Sequence, residues 1–239
     1  MGNILTIAIR EIRSYFVSPL AYVAVFFFIF LTGFIYALNL GQSQGPPQAS
    51  MEGLFGTMVF LSIIVAPVLT MALVARETSS GSIELLMSKP VRDVEVMLGK
   101  FVGAMAIYLT MLLISLEFPL MYEAWGNPDW GAIASGYIGL VLCGLGFLAV
   151  GTFASSVTDN QIAAWAIAMA MLLFFWLVGF IGYGGTGLVP EIAKRLSIYE
   201  SFTDFGQGIV DGKSLLYFLS MAVIFLFMAV RSVENRRTA

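Results

Sequence analysis

The sequence has 239 residues, of which 59% are hydrophobic and only 11% are charged, whereas a soluble domain is typically about 45–50% apolar and about 25% charged. This composition excludes a soluble globular protein and a disordered chain, and the net charge of −3 argues against a nucleic-acid binder. The single cysteine and the absence of histidine further exclude an internal disulfide, histidine-dependent catalysis and histidine-based metal sites. The chain is therefore predicted to lie in a membrane.

Residues 1–16 predict an amphipathic helix at the membrane surface. Apolar residues such as Ile4 and Ile7 interleave with Arg10, Glu11 and Arg13. A helix with one apolar and one charged side is typical of the interface between lipid and water. The alternative is a simple extension of the first membrane-spanning helix.

Six apolar runs follow, each long enough to cross a hydrocarbon core of about 30 Å, which needs about 20 helical residues. They cover residues 17–40, 56–75, 101–121, 132–155, 162–181 and 214–230. Pro67 and Pro119 lie inside the second and third runs and should kink those helices. The sequence predicts a single-domain, all-α integral membrane protein over residues 1–239, with six transmembrane helices preceded by an interfacial amphipathic helix.

The distribution of lysine and arginine predicts the orientation of the spans, because cytoplasmic connections carry an excess of these residues. Nine of the twelve basic residues fall in the N-terminal segment, in connection 76–100 or after the last span. The exceptions are Lys194, Arg195 and Lys213, in the long connection after the fifth span, where the rule is weaker. Both termini and connection 76–100 are thus predicted to be cytoplasmic.

Connection 76–100 carries the most informative pattern in the sequence. Ser80 or Ser82 can cap a short helix, which Pro90 ends. The helix presents Leu85 and Leu86, and exposed apolar side chains of this kind usually dock on something. From spacing alone, docking on a partner and folding back onto the bilayer are equal alternatives.

The same connection resembles the signature of type-2 ABC exporter permeases. The matching residues are Glu77, Gly81, Ser82, Glu84, Leu85, Leu86, Pro90, Val91, Gly99 and Lys100. The six-span plan with a preceding interfacial helix is also similar to that family. A narrower likeness lies in Leu196 to Ser220, which resembles gliding-motility-associated permeases and permeases tied to nitrous-oxide-reductase maturation. It rests on Phe202, Phe205, Gly208, Asp211 and Tyr217.

The resemblance implies that Ile83 to Ser88 form a cytoplasmic coupling helix, between the second and third spans, that sits in a cleft of a separate ATPase subunit. Glu77, Glu84 and Lys100 would brace that helix. The expected partners are two copies of an ABC ATPase, which bind the ATP and magnesium, and a second copy of this permease or a homologous one. Membrane lipids and an accessory protein in the periplasm or membrane are further expected partners. The expected location is the bacterial inner membrane, with no cofactor, catalysis or nucleic acid on this chain itself.

The resemblance implies that the chain is the permease of an ATP-driven exporter. Two other functions are alternatives to that one. A non-transporting membrane scaffold for a cell-envelope or motility machine, driven by the same ATPase, would show the same coupling helix. An ion-coupled secondary transporter would need polar residues at mid-membrane. The candidate for such an intramembrane site is Glu117, but it lies late in the third span, where a hydrogen-bonded or hydrated carboxylate is the alternative.

Two further patterns concern helix packing. Small residues at Gly99 and Gly103, and at Ser135, Gly139 and Cys143, predict close helix–helix contacts. In connection 182–213, Leu188, Ile192 and Leu196 form an apolar stripe. This stripe predicts either a lid over the outer mouth of a pathway or a helix that packs against the outer ends of the spans.

Overall fold

The computed structural model describes residues 2–42, 51–80, 92–123, 128–182 and 187–238, and these ranges form helices and short connections without a strand. In chain order the helices are α1 (Gly2–Val17), α2 (Pro19–Gln42), α3 (Glu52–Thr70), α4 (Ala75–Ser79), α5 (Asp93–Ser115), α6 (Glu117–Glu123), α7 (Trp130–Val157), α8 (Gln161–Gly182), α9 (Leu188–Leu196), α10 (Ile198–Gly206) and α11 (Gly212–Thr238).

Six helical stretches in the described ranges are long and apolar enough to cross a membrane. They are Pro19–Leu38, Glu52–Ser79, Asp93–Glu123, Trp130–Val157, Gln161–Gly182 and Gly212–Arg236. The predicted all-α membrane fold with six transmembrane helices is therefore confirmed. The last three predicted runs lie inside α7, α8 and α11, whereas the first begins at Val17, before the break at Ser18 and the helix start at Pro19.

The second and third spans are interrupted near their proline residues. Helix α3 ends at Thr70, three residues after Pro67, and a turn over 71–74 separates it from α4. The third span breaks at Leu116, and Pro119 cannot donate to the carbonyl of Ser115 because it lacks an N–H. The Tyr137 hydroxyl of α7 donates to that carbonyl at 2.9 Å. A neighbouring helix thus satisfies the group that the proline leaves unpaired.

Helix α7 lies at the centre of the bundle, and α3, α5, α8, α10 and α11 pack around it. Glycines on α7 admit large or branched side chains from these helices, because an added Cβ would lie 1.9–2.7 Å from the neighbour. The pairs are Gly136 with Phe55, Gly139 with Phe205, Gly144 with Tyr108, and Gly151 with Thr70. The glycine content of the fourth predicted span therefore reflects close packing inside one subunit.

After α8 the chain turns back on itself through α9 and α10. Helix α9 packs against the end of α8, where a Cβ at Gly182 would lie 2.5 Å from the side chain of Lys194. Its buried residue is Ala193, while Leu188 and Ile192 are more than half exposed. The helix thus packs on the spans as one alternative predicted, but its apolar stripe faces away from them. Helix α10 buries Phe205 against α7.

Candidate functional site

Helix α1 lies alongside the start of α5 and runs in the same direction. Contacts join Asn3 to Glu95, Ile7 to Gly99, and Glu11 to Gly103, so each pair is 92 positions apart. A Cβ at Gly99 would lie 2.7 Å from Ile7 Cγ2, and one at Gly103 would lie 2.5 Å from Glu11 Cβ. The two glycines therefore let α1 approach closely enough to place the Glu11 side chain beside α5.

Lys100 is the buried charge at this contact, with a side chain only 2% exposed. Its Nζ donates to Glu77 Oε1 at 2.8 Å and to Glu11 Oε1 at 3.2 Å. A buried ammonium group is tolerated only when it is paired and hydrogen-bonded. The pairs with Glu77 of α4 and Glu11 of α1 supply those partners, so one lysine joins three helices.

Arg10 completes this group of charges from the solvent side. Its guanidinium lies 3.1 Å from Glu11 Oε1 and 3.5 Å from Glu77 Oε1, and its side chain is 52% exposed. The four residues Arg10, Glu11, Glu77 and Lys100, called here the junction cluster, hold two positive and two negative charges. The cluster is therefore electrically balanced, and Lys100 is its buried member.

Tyr15 connects α1 to α3 as well. Its hydroxyl donates to the Leu69 carbonyl at 2.5 Å. Burial, with the charge of Glu11 nearby, raises the pKa of the Tyr15 phenol. The phenol is protonated at neutral pH, as an ordinary tyrosine is, and its raised pKa extends to higher pH the range in which it donates to the last turn of α3.

Ser155 of α7 holds the turn between α3 and α4. Its Oγ accepts from Val74 N at 3.0 Å and Ala75 N at 3.1 Å, and donates to the Met71 carbonyl at 3.0 Å. These are backbone groups that a helix would pair internally, and a buried unpaired N–H is costly. One serine side chain thus replaces the helical hydrogen bonds lost where the second span is interrupted.

The C-terminal helix reaches the same end of the bundle. Arg236 forms an ion pair with Asp159, in the connection between α7 and α8. Ser232 Oγ donates to the Ser156 carbonyl at 3.0 Å. The junction cluster, the Ser155 contact and the last turns of α11 therefore lie together, at what we call the junction end. The opposite end, with α9 and α10, is called the far end.

The structure brings together only part of the site predicted from sequence. Glu77 and Lys100 are in direct contact, and Gly99 contacts α1. Seven other predicted coupling residues lie outside the described residues: Gly81, Ser82, Ile83, Glu84, Leu85, Leu86 and Pro90. Glu117 is exposed in the first turn of α6 and is not a member of the junction cluster.

Sequence reasoning missed Arg10, Glu11, Tyr15 and Ser155 as parts of this site. The small pair Gly99 and Gly103 predicted a close contact at the start of the third span, but not that α1 is its partner. An acidic residue within the amphipathic helix and a lysine at the entry of a span were the available signals. Neither signal specifies a contact across about 90 residues of sequence.

Within the described ranges, no three His, Cys, Asp or Glu side chains are grouped so as to hold a metal ion. The junction cluster joins elements electrostatically, and its chemistry is that of ion pairs between helices. Such a cluster can transmit a displacement from one helix to another.

The family comparison agrees with this architecture. The model of the family described as ABC-2 family transporter protein matches residues 5–236, which is nearly the whole chain. No curated protein matches the sequence. Members of this family are multi-pass membrane subunits that work with an ABC ATPase subunit. The chain therefore belongs to the ABC-2 family of transporter proteins and is the membrane subunit of an ABC transporter.

Proposed function

We propose that this chain is the permease of an ABC exporter in the bacterial inner membrane. Two copies of it, or one copy and a homologous permease, would assemble with two ATPase subunits. The ATPase subunits would bind ATP and magnesium, and this chain would carry the movement and not the hydrolysis. Connection 76–100 would be the element that receives the movement.

The charge distribution supports a cytoplasmic location for the junction end. The basic residues at this end include Arg10, Arg13, Arg76, Arg92, Lys100, Arg231 and Arg236. Of the basic residues in the described ranges, only Lys194, Arg195 and Lys213 belong to the far end. By the positive-inside rule the junction end faces the cytoplasm, where an ATPase could reach it. On α1, Leu5 and Phe16 remain exposed and are suited to contact with lipid.

The observation that carries the proposal is the contact between Lys100 and Glu77, at 2.8 Å. These residues lie on either side of segment 81–91, which contains most of the residues predicted to couple to the ATPase. A displacement of the segment would therefore move α4 and α5 together, and would pass to α1 through Glu11.

Coupling would proceed from ATP to the spans in three stages. ATP binding would bring the two ATPase subunits together and draw the coupling segments with them. The coupling helix Ile83 to Ser88 would dock its apolar side chains in a cleft of the ATPase, and Glu84 would help to brace that helix. The junction cluster would then pass the movement to the second and third spans, shifting the bundle from an inward-open to an outward-open state. ATP can drive this change only if it favours one of the two states.

The test is co-purification of the full chain with its ATPase, followed by measurement of ATP hydrolysis in nanodiscs. The double variant Glu84→Ala, Leu85→Asp should lose both ATPase binding and the stimulation of hydrolysis. Ser79→Ala, an exposed position on α4, is the matched control and should retain both. If the double variant still binds and stimulates the ATPase, the assignment of the coupling segment is wrong.

Orientation has a separate test by thiol labelling. The single native cysteine is replaced by Cys143→Ala, and Ser79→Cys or Glu191→Cys is then introduced at exposed positions of the two ends. A membrane-impermeant maleimide added to spheroplasts should label Glu191→Cys at once. It should label Ser79→Cys only after the membrane is permeabilised, and the reverse pattern would overturn the orientation.

A further inference from the structure

A cavity of about 430 Å³ opens at the far end between α3, α8 and α10. Helix α10 contributes Tyr199, Phe202, Thr203 and Gly206 to its wall. The last three follow Tyr199 by three, four and seven residues, and this spacing places all four on one side of the helix. The volume falls within the range of about 300–1,000 Å³ that is usual for small-molecule sites. The cavity is thus a candidate ligand site, distant from the junction cluster.

Aromatic rings form the apolar part of the wall. Trp176 of α8 and Tyr199 of α10 meet edge to face, with ring centroids 5.6 Å apart and an interplanar angle of 81°. Phe202 is 5% exposed, whereas Tyr199 is 47% exposed. The wall therefore contains one buried ring and one ring that is about half exposed.

Glu52 supplies the formal charge in the lining. It lies in the first turn of α3, where the positive end of the helix dipole stabilises a carboxylate. Gln207 Nε2 donates to Glu52 Oε1 at 3.2 Å and so fixes the direction of the side chain. The other lining residues in the described part of the chain are the three aromatic residues, Thr203 and glycines, so this lining is negative in net charge.

This combination selects among ligand classes. An anion would be repelled by Glu52, and a neutral apolar molecule would gain nothing from that carboxylate. A sugar would bring more hydroxyl groups than Glu52, Thr203 and the Tyr199 hydroxyl could pair. An ammonium group is attracted both to the carboxylate and to aromatic rings.

We propose that this cavity binds an ammonium group carried on an apolar body. The source of the group is either the amine headgroup of a membrane lipid or a free amphipathic amine, since both present the same chemistry. The proposal requires only the cavity and does not depend on the proposed transport function.

The test is isothermal titration of the full chain in a non-ionic detergent with benzyltrimethylammonium. Benzyl alcohol and benzenesulfonate serve as neutral and anionic probes of similar shape. We expect the cation alone to bind. Glu52→Gln should weaken its binding at least tenfold, and Tyr199→Leu should weaken it several-fold, because each removes one of the two attractions.

Two further variants control for folding and for non-specific charge effects. In the Gly56→Phe variant, the new side chain should fill the cavity and abolish binding without a change of charge. The side chain can be accommodated because an added Cβ at Gly56 meets nothing within 4 Å. Glu191→Gln removes an exposed carboxylate at the same end and should leave binding unchanged. Equal binding of benzenesulfonate, or wild-type affinity in Glu52→Gln, would overturn the proposal.

Nanodiscs distinguish the two sources of the ammonium group. If a lipid headgroup is the ligand, phosphatidylethanolamine discs should reduce benzyltrimethylammonium binding relative to phosphatidylglycerol discs, and Glu52→Gln should remove that difference. If a free amine is the ligand, the two kinds of disc should bind the probe equally. ATPase co-purification is measured in parallel and should be normal in Glu52→Gln, so failure of this site and failure of the transport proposal are separable.

Discussion

The two ends of the bundle differ in how their charged side chains are held. At the junction end, Lys100 is buried between Glu11 and Glu77. At the far end, aromatic rings form part of the wall of a cavity, and the ion pair between Arg195 and Glu191 is exposed on both sides. A hydroxyl pairs with the backbone of an interrupted span at both ends, Ser155 at the junction end and Tyr137 at the far end.

Buried ion pairs would suit the junction end to transmitting a displacement, and a cavity would suit the far end to accommodating one. Directional polar contacts to the buried Lys100 join α1, α4 and α5, so a displacement of one of these helices would be expected to carry the other two. The helices around the cavity are joined by the exposed hydrogen bond between Gln207 and Glu52 and by a ring contact, which cost less to break than a buried ion pair. Four predictions, ordered from the largest expected effect to the smallest, test whether the ends differ in this way.

Lys100→Met should cause the largest loss. The variant leaves Glu11 and Glu77 facing each other without their buried cation, and breaking such a pair costs about 3–5 kcal/mol. Denaturant unfolding in detergent should show the decrease, and any assembled complex should lose ATPase stimulation. Arg10→Met is the matched control, since Arg10 is half exposed, and it should cost no more than about 1 kcal/mol. Equal losses in the two variants would mean that burial does not distinguish them.

Gly103→Ala should come next, because the added methyl group would overlap Glu11 Cβ at 2.5 Å. Forcing α1 away from α5 is expected to cost about 1–3 kcal/mol. Gly53→Ala, where nothing lies within 4 Å, should be neutral or slightly stabilising. Thermal unfolding midpoints of the two variants check this, and a stable Gly103→Ala protein would contradict the close contact.

Ser155→Ala should cost about 1–2 kcal/mol, because it leaves the N–H groups of Val74 and Ala75 without their acceptor. Hydrogen exchange measured by mass spectrometry should show faster exchange over residues 70–76. Ser156→Ala is the control, since the Ser156 hydroxyl donates to the Phe153 carbonyl within its own helix. Unchanged exchange in Ser155→Ala would show that the turn is held by other contacts.

Arg195→Gln at the far end should have the smallest effect, below about 0.5 kcal/mol, because its pair with Glu191 is an exposed contact one helical turn apart. Unfolding curves at low and high salt should coincide with those of the wild type. A loss comparable to that of Lys100→Met would remove the distinction between the ends.

The features that could be predicted were those set by local composition. The apolar runs identified six spans, and Glu77 and Lys100 were singled out by a motif within one connection. Ser155 could not be predicted, because a serine near the end of an apolar helix has no periodic signature of its role. Glu11 could not be assigned either, since its partner lies 89 positions away. The sequence pattern identified the apolar stripe of Leu188, Ile192 and Leu196. It did not predict that the opposite side of α9 would be the buried one.

The composition and the apolar runs are enough to specify a membrane as the solvent of this protein and to identify six helices that are long enough to cross it. Apolar residues must leave water wherever they occur, and about 20 in succession are enough to span a bilayer. Which charges meet, and where a cavity remains, follows from the packing of the helices and not from the local sequence. Ion pairs and cavities depend on the distances between helices. Those distances are determined jointly by residues that are far apart in the chain. The 59% of hydrophobic residues thus specify a membrane protein, while the placement of a few charged side chains among them distinguishes one end of the molecule from the other.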